Sequence, residues 1–253
     1  MISERQLARG FSRFWQELLP LLTPRFIRLF NEGYVRPLKD LEGVDLKALP
    51  VGVENENPAL VAEMAFHLAK LARKELKSIN EAAKSEDLVA AAKKSATELM
   101  DRYEGESKSD TFELSDAEAG EALKLASYYD RLYPVFGADS PVEFSPQIPG
   151  AGFIASCYGD LSIADTLFEI KTVNRNLSGK DFRQLIIYLA LQASTGKRRW
   201  TSAGFFNPRR GVIAEFEIDP VLFRLSGGKT PSDVFGELVA FASSRQAIFD
   251  SRF

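Results

Sequence analysis

Apolar residues recur every three to four positions through most of the first half of the chain, then at every second position over much of residues 141–175. Ser3 and Gln6 form a capping box, and Leu7, Phe11, Phe14, Trp15 and Leu18 follow at helical spacing, predicting an opening helix. Pro20 and Pro24 interrupt the pattern, and residues 25–31 predict a second, short helix. Residues 38–56 predict a loop with little regular structure. From Asn57-Pro58 the stripe Leu60, Met64, Leu68 and Leu71 predicts a helix to about Ala83, and another starts near Ser85 with Leu88, Leu99 and Met100. The polar run 104–113 reads as a linker. Ser115 then caps a helix with Ala119, Leu123, Ala126, Tyr129 and Leu132 on it.

Past Pro134 the segments are rich in Val, Ile, Phe and Thr, with Gly and Pro at the breaks, which predicts strands over 141–175. Residues 179–194 return to helical spacing, with Phe182, Leu185, Ile186, Leu189 and Ala193 on one face. Two strand-like runs, 200–206 and 211–218, are joined by Asn207-Pro208-Arg209-Arg210, and residues 231–248 predict a closing helix. The order predicts an α/β core behind an all-helical preface, divided as residues 1–110 and 111–253. No internal repeat or low-complexity tract is present.

Within the strand-rich half, residues 158–172 carry the chemistry. A hairpin turning at Ala164-Asp165 sets Asp160 opposite Glu169 and Tyr158 opposite Lys171. Alternation then gathers Asp160, Glu169 and Lys171 on one face and puts Leu161, Ile163, Phe168 and Ile170 on the other. A slip of one residue would send Asp160 and Glu169 to opposite faces, so the chemistry depends on this register. Ala-Asp is not a favoured two-residue turn. Paired carboxylates on a half-buried sheet repel each other, and a divalent cation resolves the conflict. Hard oxygen ligands so placed suit Mg²⁺, completed by water and a substrate phosphate, with Mn²⁺ expected to substitute. Lys171 is placed to stabilise the phosphoryl transition state or to orient the attacking water.

Charge sharpens this. The net charge of −3 argues against a chain that coats nucleic acid along its whole surface. Residues 151–214, however, hold 9 Lys+Arg against 4 Asp+Glu, whereas residues 1–150 hold 19 against 25, so the basic excess sits on the segment with the hairpin. Lys197-Arg198-Arg199 and Arg209-Arg210 are basic turns able to meet phosphates, or simply solvated ones. A single cysteine, Cys157, excludes an internal disulfide framework and fits a small core residue, while His67 has no His, Cys or Asp companion in the sequence and fits a structural role. No Walker-type loop occurs, so nucleotide hydrolysis finds no support. With no leader-like apolar segment and no run long enough for a membrane span, the chain is expected to be soluble and cytoplasmic, without membrane partners.

Gly159-Asp160, a gap, and Glu169-Ile170-Lys171 resemble the PD-(D/E)xK (restriction-endonuclease-like) nuclease superfamily, with Gly159 where proline is often found. Asp181-Phe-Arg-Gln184-Leu-Ile-Ile-Tyr188 resembles the Gln-x-x-x-Tyr helix of its RecB-like branch, and the likeness covers roughly residues 115–220. The resemblance implies a core of helix, mixed central sheet and flanking helices. It also implies a Mg²⁺-dependent deoxyribonuclease, with Asp160 and Glu169 as metal ligands and Lys171 and Gln184 completing the catalytic set. Tyr188, Arg183, Arg209 and Arg210 are expected on the substrate, DNA first and RNA second. An acidic residue on the preceding helix is implied too, with Glu118, Glu121 and Glu143 as candidates. Control by a protein partner or by homo-oligomerisation is expected, since a free nuclease endangers its host. The alternative is a weak or inactive nuclease fold kept as a nucleic-acid-binding or partner-binding module. Glycoside hydrolysis by two carboxylates lacks an aromatic sugar cleft.

Overall fold

The computed structural model describes residues 1–38, 57–104, 114–137 and 139–244. The expected loop at 39–56, the linker at 105–113 and the end of the closing helix at 245–248 lie outside the described residues. The chain forms two compact units: Met1–Arg36, Ser140–Phe206 and Ile213–Phe253 in one, Pro37–Asp139 and Asn207–Val212 in the other. This division runs elsewhere than residue 110. The first helices belong with the hairpin, and the Ser115-capped helix belongs with the second unit.

In the first unit the opening helix is two helices. The Ser3–Gln6 capping box starts α1 (Glu4–Arg9), but the chain breaks at Gly10 and restarts as α2 (Ser12–Leu18). Phe11 stands between them at φ 54°, a left-handed conformation costing about 1–2 kcal/mol for an L-residue. Its ring packs 5.4 Å from Phe241 and 6.0 Å from Phe153, which offsets that cost. Thr23 caps α3 (Pro24–Gly33), and β1 (Arg36–Pro37) follows.

The strands are short: β2 (Val142–Phe144), β3 (Gln147–Ile148), β4 (Cys157–Tyr158), β5 (Leu161–Ile163), β6 (Thr166–Ile170), β7 (Ser202–Asn207) and β8 (Val212–Glu217). Six make one mixed sheet in the order β1-β8-β7-β6-β5-β2, and β3 pairs with β4 apart from it. The β5–β6 hairpin has the expected register, Leu161↔Phe168, Ser162↔Leu167 and Ile163↔Thr166. Its turn does have Ala164 at an unfavourable φ of 51°. The Ala164 N–H donates to the Pro141 carbonyl at 2.9 Å, and the Asp165 carbonyl accepts from Thr201 N–H at 3.1 Å. Neighbouring chain, and not turn propensity, therefore holds this corner. Ala164→Gly is expected to raise stability by about 0.5–1 kcal/mol and Tm by a few degrees in thermal unfolding, because glycine carries no steric cost at this φ.

Strand β6 runs parallel to β7, with Glu169 beside Phe205. The parallel pairing requires a crossover, supplied by α8 (Gly179–Ala193), which starts at a capping box of Ser178 and Asp181. Helix α9 (Ile218–Leu225), absent from the sequence expectation, directly follows β8, and α10 (Pro231–Ser243) closes the described chain. Both α1 and α10 lie against α8. The core between sheet and helices gathers Trp15, Phe30, Phe182, Phe205 and Phe216 around α8. Leu161, Ile163 and Phe168, expected on the apolar face of the hairpin, are fully buried. Between β6 and β8, Gly204 leaves room for the Phe168 ring: a Cβ there would stand 2.4 Å from Phe168 Cε1 and 2.5 Å from the Ala214 carbonyl oxygen.

The second unit is helical, with α4 (Pro58–Lys74), α5 (Ile79–Ala82), α6 (Glu86–Glu104) and α7 (Asp116–Leu132) followed by a 3-10 turn. The helix expected to reach Ala83 ends at Lys74, since Leu76 adopts φ 54° and Ser78 caps a new start. Helix α4 lies against α6 and α7. Two acids of α7 cap the starts of its neighbours: Glu118 accepts from Asn57 N–H at 3.0 Å, and Asp130 accepts from Ile79 N–H at 2.5 Å. Among the described residues no helix is long and apolar enough to cross a membrane.

Candidate active site

Asp160 stands one residue before β5, and the hairpin register continued by one pair sets it opposite Glu169. Its carboxylate Oδ2 accepts the Ile170 N–H at 2.7 Å, a side chain prolonging the ladder where backbone pairing stops. Glu169, inside β6, is 2% exposed, whereas Asp160 is half-buried and within reach of a ligand. Lys171 follows β6, and its own N–H donates to the Phe206 carbonyl at 2.8 Å, which fixes the backbone that aims it. Lys171 Nζ donates to Glu169 Oε1 at 2.5 Å and to Gln184 Oε1 at 2.9 Å. Gln184 Nε2 in turn donates to Tyr188 Oη at 2.9 Å, one helical turn further along α8. Asp160, Glu169, Lys171, Gln184 and Tyr188 are thus brought together.

Their charges interact strongly. Burial pushes the Asp160 carboxyl well up, and the neighbouring Glu169 pushes it further; Lys171 and the Ile170 N–H pull the other way. Glu169 is likewise raised by burial, against the attraction of Lys171. Burial alone would lower the Lys171 ammonium, but Glu169 and Asp160 outweigh it and hold it above the ordinary lysine value. Lys171 is therefore a fixed positive charge and not a base near neutral pH. Burial, then Glu169, Asp160 and Glu4, keep the Tyr188 phenol protonated. The Cys157 thiol is pushed up to about 12 by burial, Glu4 and Glu169, so it is no nucleophile.

Two contributors escaped sequence reasoning. Glu4, at the start of α1, is buried, and its charge acts on both Tyr188 and Cys157. Its neighbour Arg5 acts on Asp160 and Glu169. The capping box of Ser3 and Gln6 predicts this helix, but assigning residues 1–110 to a separate domain detached it from the site. The other is Asp181, which takes a bidentate pair from Arg175 at 2.7 and 2.9 Å and lies 3.9 Å from Lys171 Nζ. Burial raises the Asp181 carboxyl, and Arg175, Lys171 and Ser178 together bring it below its ordinary value.

The upstream acids considered from sequence serve elsewhere. Glu118 caps its own helix and Asn57, Glu121 pairs with Arg209 in the second unit, and Glu143 pairs with Arg199. Arg209 is thus charge-neutralised, while Arg210, also in the second unit, donates its backbone N–H to Asn207 at 3.1 Å. Arg198 pairs with Asp219. Tyr188 is buried against Gln184, an orienting position with no open face toward a substrate. Arg183 is half-buried beside α1, 3.4 Å from the Ala8 carbonyl.

Among the described residues no three or more His, Cys, Asp or Glu side chains gather as a metal cluster. The two-carboxylate set still fits Mg²⁺, which is held through one or two carboxylates and takes its other ligands from water and substrate. One observation of this site bears directly on the fit: Glu169 Oε2 is buried without a hydrogen-bond partner. Such an atom carries a desolvation cost of about 1–3 kcal/mol or more that a cation would remove. No protein family, curated protein or solved structure matches the chain.

Proposed function

We propose that this chain is a Mg²⁺-dependent phosphodiesterase of the PD-(D/E)xK kind, RecB-like in its Gln-x-x-x-Tyr helix, hydrolysing DNA, with RNA as the second substrate. The hairpin β5–β6, the parallel strand β7 and the crossover α8 between them support a restriction-endonuclease-like core. Asp160 and Glu169 would hold the ion. When bound, Mg²⁺ supplies a more acidic water and neutralises charge on the phosphoryl oxygens. Lys171, kept protonated by its two acidic neighbours, presents a fixed ammonium to the negative charge that grows on the phosphorane. Gln184 gives Lys171 a second acceptor beside Glu169, and Tyr188 fixes the Gln184 amide so that its oxygen faces the ammonium. Asp181 holds Lys171 at longer range.

The observation that carries this reading is the orphaned Glu169 oxygen next to a protonated lysine. An inert surface ion cluster would leave neither buried. The test is Mg²⁺ titration of the full chain by calorimetry and thermal unfolding. Saturation at 100 times Kd is expected to add about 2.7 kcal/mol, which raises Tm by about 5–10 °C for a chain of this size. Asp160→Ala should lose both signals. Absence of binding by the wild type would favour a fold kept as a binding module.

A further inference from the structure

Beside the site lies an open groove of about 1030 Å³, walled by α3 on one side and by residues 175–180 on the other. Its lining includes the cations Arg9, Arg28, Arg175, Lys180 and Arg183 against a single acid, Glu32. Arg28 answers Glu32 at 3.9 Å, and Arg175 answers Asp181. Arg9, Lys180 and Arg183 have no acidic partner among the described residues. Arg183 lies over the Trp15 ring, 5.5 Å from its centroid, and its Nε is buried without a hydrogen-bond partner. Unanswered cations converging on one concave surface repel, and a polyanion laid along the surface removes the repulsion.

The groove is linked to the site by a chain of polar contacts through Asp181, which is not itself part of the lining. That carboxylate takes the bidentate pair from Arg175 on the groove wall and stands 3.9 Å from Lys171, which is bonded to Glu169. The lining also indicates the ligand. No aromatic side chain is present to stack a base, while Leu22, Pro24, Ile27 and Leu177 give an apolar floor among the charges. Contacts are therefore to phosphate and sugar, without a sequence code. The volume exceeds an ordinary small-molecule pocket of about 300–1,000 Å³ only slightly, so it takes a few nucleotides of one strand and not the body of a duplex.

We propose that this groove is a backbone track for a single nucleic-acid strand running to or from Asp160, Glu169 and Lys171. Its direction rests on the phosphodiesterase reading of those residues; strand binding itself does not. The strand is separated from its phosphodiester chemistry by measuring binding in EDTA, where no cutting occurs. Fluorescence anisotropy of the full chain with labelled dT and rU oligomers and a blunt duplex compares wild type with Arg9→Gln/Lys180→Gln, both exposed positions. Lys74→Gln/Lys124→Gln, on the second unit, makes the same change of charge.

The wild type is expected to bind a single strand more tightly than the duplex, and comparison of dT with rU reads which sugar is preferred. The groove variant should weaken single-strand binding about tenfold at 0.15 M salt and flatten the slope of log K against log salt by about 1.4, for two lost phosphate contacts. The second-unit variant should bind as wild type. Equal affinity of groove variant and wild type, equal loss in both double variants, or a preference for duplex would overturn the proposal. Strand binding with these dependences but without Mg²⁺-dependent cutting would leave the groove standing and remove the phosphodiesterase reading.

Discussion

Glu169→Gln and Lys171→Ala are each expected to lower the Mg²⁺-dependent cutting rate by about a thousandfold or more, equivalent to about 4 kcal/mol of barrier. Gln keeps the shape of residue 169 but removes the anionic oxygen left without a partner, so the ion loses a ligand. Ala at 171 removes the ammonium bonded to Glu169, the charge proposed to face the phosphoryl oxygens. The two variants should differ in binding. Glu169→Gln should lose the calorimetric Mg²⁺ signal, while Lys171→Ala should keep it, because one cation fewer beside two carboxylates favours another. The assay is nicking and linear-end digestion of DNA with Mg²⁺ or Mn²⁺, beside circular dichroism to verify folding. Full cutting by Lys171→Ala would dismiss the assignment.

Gly204→Ala is expected to cost about 3 kcal/mol, a fall in Tm of about 6–12 °C for a chain of this size. The added methyl would stand 2.4 Å from Phe168 and 2.5 Å from a backbone oxygen of the next strand, where ordinary contact begins near 3.4 Å. Phe168 is fully buried, so the strands must part. Because Glu169 lies beside Phe205 on β7, the same shift should lower cutting along with stability. Adding Phe168→Leu should recover part of the loss by clearing the ring but not the oxygen. Unchanged unfolding of Gly204→Ala would show that the sheet yields more easily than its packing implies.

The hairpin was legible because one register alone buries Leu161, Ile163 and Phe168 while gathering the charged residues, and period-two alternation exposes that choice directly. Helix α8 was legible from its period, and Gln184 and Tyr188 from their spacing of four. Helix breaks were not, since Phe11 and Leu76 adopt left-handed conformations that their side chains disfavour: ring packing holds Phe11, whereas Leu76 is exposed and closes α4 as the Lys77 N–H reaches back to the Ala72 carbonyl. Glu4 was invisible for a different reason: its relation to the site comes from the packing of α1 on α8, which no local pattern encodes. The same holds for the Arg175–Asp181 pair, six residues apart and joined only because the chain after β6 turns back over the start of α8.

Residue 2 bridges residue 154, and its N–H donates to the Phe153 carbonyl at 2.8 Å, so the head of the chain is stitched to the segment that leads into the hairpin. The Glu4 carboxyl therefore meets Tyr188 and Cys157 through a closure between residues far apart in sequence, which carries a loop-entropy cost that the local turns of α1 do not.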